Sequence, residues 1–495
     1  MKSISEDEAK YLLLLTLEAQ ERARKKLLDF ILYTFPEYDV NFHHKISCEI
    51  LQRFIFGDID RLIFQSPPRH GKTEIVSRRL PAFIFGNDPD TSIISASYSA
   101  KLAMKTTTDI QRIMETPEYR ELFPGVRLGG YRSKEEGTYT KTQGMFEIVK
   151  HKGIYASSGV GGSGGGYGAK IFIIDDPIKN RKEAESLTYR NAVWDWYCSI
   201  AQTRLEKDGK ILITTTRWHE DDLVGRLEKR QREGGDKWTK ISFSAIKEDK
   251  PSELDPRKPG QPLWPNKYSL KVLEQRRINI GTYNWLSLYQ QRPGAIGGNM
   301  IQGAWFKRYK HLPEAKLDKY GMLLPIFDRI IQSWDMTFKE GESNDFIVGQ
   351  AWGQLGADFY LLEQARGKWS FKQSLGEVER FTWNVAKKYQ ASSAVLIEDK
   401  ANGPAIISML REKVPGILPV SPTANKSVRV IEVSPCIEAG NVFIPDESIA
   451  GWVNDLVAEC EAFPNSANDD QVDAMTQALW YLRGRGGQGL KIGVI

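Results

Sequence analysis

Leu62-Ile63-Phe64-Gln65-Ser66-Pro67-Pro68-Arg69-His70-Gly71-Lys72-Thr73 is the stretch on which the reading of this chain turns. Three apolar residues make a short buried strand, Ser66-Pro67-Pro68 breaks it, and Glu74 to Phe85 continues at helical spacing. Strand, loop and helix in this order are the setting of a phosphate-binding loop, because the backbone N–H groups of residues 69–73 converge at a helix N-terminus, where anions are stabilised. Lys72 then meets the β and γ oxygens of a nucleoside triphosphate and Thr73 offers its hydroxyl to Mg²⁺. Ser66 replaces the first glycine of the usual GxxxxGK[ST] pattern, and the two prolines stiffen the entrance to the loop. A Gly-Lys-Thr tripeptide also occurs at ordinary helix starts, so the site needs a second half.

That half is Ile171-Phe172-Ile173-Ile174-Asp175-Asp176, an apolar strand ending in two carboxylates. The first, Asp175, suits ordering of Mg²⁺, and the second, Asp176, suits orientation of an attacking water. Asp-Asp-Pro is also a good turn by itself, a reading that weakens once Lys72 precedes it on the same chain. Thr214-Thr215-Thr216-Arg217 follows the apolar run Ile211-Leu212-Ile213 and brings hydroxyls to the same sheet edge, where they can sense the γ-phosphate and couple it to movement. The glycine-rich stretch Gly159 to Gly168 suits a moving loop. Continuous apolar strands alternating with helices predict a parallel sheet covered on both faces, an α/β domain reaching to about residue 250.

Proline and glycine punctuate 251–298, the expected linker region, and a second α/β pattern starts near Ile330. Three strands in succession, a helix, a fourth strand (Ala394 to Ile397) and a final helix from Gln471 to Leu482 follow the order of an RNase H-like fold. In that order the first and fourth strands lie side by side. Asp335 ends the first, Glu398 ends the fourth, and Asp469-Asp470 precede the last helix. Converging carboxylates hold two divalent metals that clamp a phosphodiester, and oxygen-only ligands select Mg²⁺ or Mn²⁺. Asp345 and Asp473 are further candidates, although Asp470 also suits a helix cap. Lys387, Lys388, Lys426 and Arg429 are candidate contacts to a DNA backbone. At the other end of the chain, Ser5 and Glu8 form a capping-box pattern before one long helix that runs to Pro36, read as a lid or docking helix.

The whole-chain figures set the bounds. The chain has 495 residues, enough for two or three domains, and its 68 Lys+Arg against 63 Asp+Glu permit nucleic-acid binding without arguing for it. Tyr11 to Leu17 is too short to span a membrane and follows acidic rather than basic residues, so the chain is expected to stay in the cytoplasm. Cys48, Cys198, Cys436 and Cys460 are scattered without a CxxC pair and are read as core thiols rather than a zinc or disulfide framework.

Together, the variant phosphate loop, the Asp-Asp-Pro strand end, Thr215-Thr216-Arg217-Trp218-His219-Glu220-Asp221-Asp222-Leu223, Tyr289-Gln290-Gln291-Arg292-Pro293 and the Asp/Glu/Asp set resemble the large terminase subunit of tailed double-stranded DNA bacteriophages. The resemblance covers roughly 40–482 and implies an α/β chain with a P-loop (RecA/ASCE-like) ATPase domain and an RNase H-like nuclease domain. It implies segments at 1–40 (N-terminal helix), 41–255 (ATPase), 256–325 (linker and connecting segment), 326–483 (nuclease) and 484–495 (flexible tail). It further implies an ATP-driven motor that moves double-stranded DNA into a procapsid and a nuclease that cuts the concatemer. ATP and Mg²⁺ are the implied cofactors, with Mn²⁺ possible at the nuclease. The implied partners are the small terminase subunit and the portal, in the host cytoplasm, with no membrane. The expected assembly is a ring on the portal and a monomer when free.

Carried onto this sequence, the ATP site comprises Ser66, Arg69, His70, Gly71, Lys72, Thr73 and Asp175, with Arg69 and Asp176 catalytic. Thr214, Thr215 and Thr216 couple, and Thr73 and Asp175 serve Mg²⁺. Asp335, Glu398 and Asp470, with Asp469 beside it, serve the nuclease. His43 and His44 fall where some members contact adenine. Tyr167-Gly168-Ala169 departs from a family run carrying an arginine that acts across a subunit interface, which leaves Arg69, Arg204 or Arg217 to supply that charge. The competing readings are an ATP-dependent helicase or repair translocase with an inactive second domain, and a scaffold in which both sites are vestigial.

Overall fold

The computed structural model describes residues 6–129, 139–162, 166–294, 300–315, 326–336, 346–391, 393–398, 403–421, 424–464, 466 and 468–484. Ser5, part of the glycine stretch before Tyr167, Asp345 and the tail beyond Gly484 lie outside these residues. The chain forms two units, 1–276 with 284–294, and 277–283 with 295–495. The expected connecting segment 256–325 is therefore divided between them. Leu263 and Trp264 are buried, and Leu263 lies in the first unit's core, which draws that part of the segment inward. Among the described residues no helix is long and apolar enough to cross a membrane.

The first unit is built on strands β1 (Arg61–Gln65), β2 (Ser92–Ser97), β3 (Met145–Glu147), β4 (Ile154–Gly159), β5 (Ala169–Asp175), β6 (Leu205–Thr215) and β7 (Thr239–Ser242), in the order β3-β4-β2-β5-β6-β1-β7. All neighbours run parallel except β3 and β4. Phe64 pairs with Thr214 and Asp175 pairs with Thr214 from the other side, so β1, β6 and β5 end level. The phosphate loop, the threonine run and the acid pair thus leave one edge of the sheet together, where parallel α/β sheets place their ligands. Apolar residues on both sheet faces, such as Phe64 and Ile63, fall into separate cores, as doubly covered strands require.

The N-terminal segment differs from one long helix. It breaks into Glu6–Lys25 and Leu27–Thr34, with Lys26 in extended conformation. Gln52, on the helix Phe42–Phe56, accepts the Leu27 N–H at 3.1 Å and donates to the Lys25 carbonyl at 3.0 Å, satisfying groups the break would orphan. The second helix is no lid: Leu27, Phe30 and Ile31 are buried in the core. The helix after the phosphate loop starts as a π-helix, Thr73–Arg79, before Leu80–Asn87. Cys48 and Cys460 are core thiols as expected, but Cys198 is exposed.

The second unit carries β8 (Lys307–Tyr309), β9 (Arg329–Asp335), β10 (Ile347–Leu355), β11 (Asp358–Gly367), β12 (Ala394–Glu398), β13 (Ile417–Val420) and β14 (Val442–Pro445), ordered β13-β12-β9-β10-β11-β14-β8. β9, β10 and β11 are antiparallel, and β12 joins β9 in parallel with Ile397 opposite Trp334. This is the RNase H-like order, with the first and fourth strands adjacent. Ser370 caps the helix Phe371–Tyr389 through a capping box with Gln373, and Val378, Phe381 and Val385 bury its inner face. Gly349 lies against the Trp334 indole, where an added Cβ would come within 2.6 Å of the ring.

Candidate functional site

The phosphate loop is held by its own backbone and by residues from three other segments. Gly71 has φ +93°, Arg69 has φ +66° and Asp176 has φ +45°. A Cβ on Gly71 would sit 2.6 Å from His44 Nε2 and 2.7 Å from the Tyr38 hydroxyl. Glycine is therefore needed both for its conformation and for the close approach. Gly71→Ala is expected to weaken nucleotide binding by about tenfold or more, since the strain alone is about 1–2 kcal/mol. A fluorescent-nucleotide titration checks this, and wild-type affinity would refute it.

Lys72, almost wholly buried, donates to Asp176 Oδ1 at 2.7 Å and to the Thr216 hydroxyl. Thr216 N–H donates to the same Asp176 oxygen at 2.9 Å. Lysine, aspartate and threonine, from three different strand ends, therefore close on one point. Asp175 lies deeper. Ser77 donates to its Oδ2 at 2.5 Å, while its Oδ1 is buried without a hydrogen-bond partner. Burial, reinforced by the neighbouring Asp176 charge, pushes the Asp175 carboxyl up to about 6. An orphaned carboxylate oxygen at this position fits a cation, and the half-buried Thr73 begins the helix that carries Ser77.

A cleft of about 930 Å³ opens at this point, with Tyr38, Arg69, Lys72, Asp176, Trp264 and Lys267 among its lining residues. Ser66 is buried, Arg69 exposed, and His70 buried beneath the loop. Thr214 and Thr215 are buried in the end of β6. Trp264 and Lys267 were not singled out from sequence, because Pro262 and Pro265 marked their stretch as a break. The signal was there as aromatic and basic residues between those prolines and Tyr268. Lys267 lies over the Trp264 ring at 4.2 Å and donates to the Arg69 carbonyl at 3.3 Å.

His43 and His44 stand under the loop. The Asn41 N–H donates to His44 Nδ1 at 3.1 Å, so the neutral ring carries its proton on Nε2, which faces the His70 carbonyl at 3.3 Å. His43 Nε2 faces the same carbonyl at 3.2 Å. Burial first, then the adjacent His44, pulls His43 down to about 2, and burial pulls His44 and His70 down to about 4. Folded histidines thus stay neutral where unfolded ones, near 6.5, bind protons. Stability is full above pH 6.5 and falls as pH drops towards 4, by about 1.4 kcal/mol per pH unit for each histidine. Calorimetry should show the first unit's transition falling between pH 7 and 5, more gently in His44→Gln; a midpoint that ignores pH would contradict it.

Of the arginines left to replace the departure at Tyr167, Arg217 is committed elsewhere. It is buried and donates to Asp222 Oδ2 at 2.8 Å, and Asp222 in turn caps the helix Leu223–Arg232. The carbonyl of Arg204 accepts the Ala169 N–H at 2.7 Å, which sets it beside the Tyr167-Gly168-Ala169 run.

In the second unit, the β9–β12 pairing puts Asp335 and Glu398 at neighbouring strand ends. Asp470 and Asp473 lie in the first turn of the helix Asp470–Leu482, which follows Asp469. Gln471 fixes that turn: its N–H donates to Glu459 Oε1 at 2.7 Å, its Oε1 accepts from Gln364 at 2.9 Å, and its carbonyl accepts from Gln350 at 3.2 Å. Further along, Gln477 donates to Ser333 Oγ on β9 at 3.0 Å. Lys426, half-exposed, and Arg429, buried, pair with these acids. Lys426 pairs with Asp469 at 2.7 Å and Asp473 at 2.6 Å, and Arg429 pairs with Asp473 at 2.8 Å and Glu398 at 3.6 Å. Lys388 is likewise paired, with Glu363. Burial lowers the Lys426 ammonium, but Asp473 and Asp469 outweigh it and hold it above its ordinary value. Among the described residues no three His, Cys, Asp or Glu side chains are grouped to hold a metal. The carboxylates at the β9 and β12 ends nevertheless offer the oxygen donors that suit a hard cation, with the Arg429 guanidinium lying against Glu398.

A phosphate loop after β1, an acid pair after β5 and a threonine-ended β6 between them define a P-loop ATPase unit, joined on this chain to an RNase H-like unit. Two family models match: "Terminase large subunit, T4likevirus-type, N-terminal" over residues 63–308 and "Terminase RNaseH-like domain" over 332–482. The chain belongs to the large terminase family. Among solved structures, it is similar to the large terminase of the thermophilic bacteriophage D6E, with 13% identity over 89% of this chain and 98% of that one and a TM-score of 0.47. It is also similar to the HK97 bacteriophage large terminase, with 10% identity over 92% and 99% and a TM-score of 0.39. The nuclease domain of the bacteriophage SPP1 large terminase with bound Mn is 13% identical over 37% and 99%, with a TM-score of 0.27. The family models alone carry the assignment. The comparison with curated proteins found no match.

Proposed function

We propose that this chain hydrolyses ATP to move double-stranded DNA into a procapsid and cuts concatemeric DNA in its second unit. The observation that carries the reading is the closed contact of Lys72, Asp176 and Thr216 at a phosphate loop, on a terminase chain whose second unit sets Asp335 and Glu398 side by side. In this reading the nucleotide's terminal phosphates draw Lys72 from Asp176. The freed carboxylate then orients and deprotonates the attacking water, and Thr216 reports the change to its loop. Arg69, at the cleft wall, faces the developing charge. Asp175 and Thr73 would hold Mg²⁺; bound there, the ion neutralises charge on the phosphates.

For the nuclease, Asp335, Glu398 and Asp470, with Asp469 as neighbour, would hold Mg²⁺ or Mn²⁺, which polarises the scissile phosphate when bound. Lys426 and Arg429 balance the acids until then. Double-stranded DNA, a small terminase subunit and a portal are the partners proposed, with a ring on the portal, a free monomer and the host cytoplasm as setting. Phosphate release and plasmid linearisation by purified protein, with Mg²⁺ or Mn²⁺ and with or without ATP, test the proposal. Both activities are expected. A protein that unwinds a forked duplex and leaves plasmid intact would instead be a helicase with an inert second unit.

A further inference from the structure

We propose that Gln291, assisted by Ser287, is a positioning residue for ATP hydrolysis, holding the loop after β6 so that Thr216 keeps its grip on Asp176 and Lys72. The inference rests on the reading of the first unit as an ATPase. Gln291 lies about 70 residues downstream of the loop in sequence, inside the Tyr289-Gln290-Gln291-Arg292-Pro293 run, to which the sequence reading gives no task at the phosphate site. Its Oε1 accepts the Arg217 N–H at 3.2 Å, and its Nε2 donates to the Leu288 carbonyl at 2.5 Å.

The peptide joining Thr216 to Arg217 is thereby held at both ends, since the Thr215 hydroxyl donates to the Thr216 carbonyl at 3.0 Å. A peptide is planar, so fixing its N–H and C=O fixes the backbone torsion of Thr216. That residue's own N–H and hydroxyl meet Asp176 and Lys72. The next two carbonyls are held as well: the Ser287 hydroxyl is shared between Arg217 O at 2.9 Å and Trp218 O at 3.0 Å. Arg181 bridges the Trp218 carbonyl and Asn284 Oδ1, the latter at 2.8 Å.

Fastening the 284–294 segment to the rest of the unit does not account for Gln291, because its neighbour already does so. Gln290 accepts the Ile246 N–H at 3.1 Å and donates to the Ile246 carbonyl at 2.9 Å and to Glu248 at 2.7 Å. Gln291 instead adopts φ +57°, a left-handed conformation that costs a non-glycine residue about 1–2 kcal/mol. Two adjacent glutamines thus serve two partners, and the strained one serves the loop at the candidate catalytic centre.

The test compares full-length wild type with Gln291→Met, which keeps the length and loses the acceptor, and with Gln290→Met. Steady-state ATP hydrolysis and thermal midpoint are read for each. Gln291→Met is expected to lower kcat about tenfold with KM for ATP within about twofold, the pattern of a contact felt in the transition state. Gln290→Met is expected to lower the midpoint while leaving kcat unchanged. A cycle with Thr216→Val should be non-additive, because both changes act through one contact. If wild type hydrolyses ATP and Gln291→Met keeps its kcat, or changes only in proportion to its thermal midpoint, the positioning role is wrong while the ATPase reading stands. If wild type itself does not hydrolyse ATP, the ATPase reading falls first. Should Gln291→Met fail to fold, Ser287→Ala decides on the same readouts: an unchanged kcat refutes the role and a lowered one supports it.

Discussion

Lys72→Ala removes ATP hydrolysis, by about 10³-fold or more, while metal-dependent plasmid cutting continues near the wild-type rate. The size follows from what Lys72 does at the loop. Its ammonium is almost wholly buried and touches both the Asp176 carboxylate and the Thr216 hydroxyl. In such a site a single charge directed at the phosphates counts for far more than it would in water. Alanine also leaves Asp176 next to Asp175 without the cation between them and the phosphates, so a loss of nucleotide affinity accompanies the loss of rate. The activities separate because the carboxylates of the second unit belong to a different sheet. Phosphate release and plasmid linearisation, measured on one preparation, decide it. Substantial hydrolysis by Lys72→Ala would mean that the loop is not the site.

Asp335→Asn gives the mirror result: cutting falls by about 10³-fold or more and ATP hydrolysis is retained. Asp335 is buried at the end of β9, so the amide is the better probe; it preserves shape and removes the charge needed to bind a divalent ion. Removing that negative charge also unbalances Lys426 and Arg429, which lie against Glu398, Asp469 and Asp473, so a modest drop in thermal midpoint is expected. Cutting that persists in Asp335→Asn under Mg²⁺ and Mn²⁺ would assign the nuclease elsewhere.

The phosphate loop and the acid strand were legible because each couples an apolar run to residues that a core does not need. Leu62 to Phe64 and Ile171 to Ile174 read as strands, and Lys72, Asp175 and Asp176 read as exceptions to burial that require a task. The adjacency of Asp335 and Glu398 was legible through topology: three strands, a helix and a fourth strand bring the first and fourth together. What escaped the sequence depends on contacts between distant segments. The break at Lys26 is stabilised by Gln52, which no helical periodicity reveals. Trp264 and Lys267 sit among prolines that signal irregular chain, and irregular chain here forms the wall of the cleft. Lys426 and Arg429 read as candidate contacts to DNA, and their pairing with Asp469, Asp473 and Glu398, which offsets repulsion among those acids, was not legible.

The contact between Lys72 and Asp176 bears on the end of the catalytic cycle as well as its start. A lysine that waits in water must be stripped of its hydration by each incoming nucleotide and rehydrated at each departure. Here the chain carries its own substitute for the phosphate: Asp176 is tethered within 2.7 Å of the lysine and competes for it at the high local concentration of an intramolecular group. In the proposed cycle, product leaving the loop is displaced by a carboxylate already in place. Release in that cycle draws on the protein's own ion pair rather than on solvent.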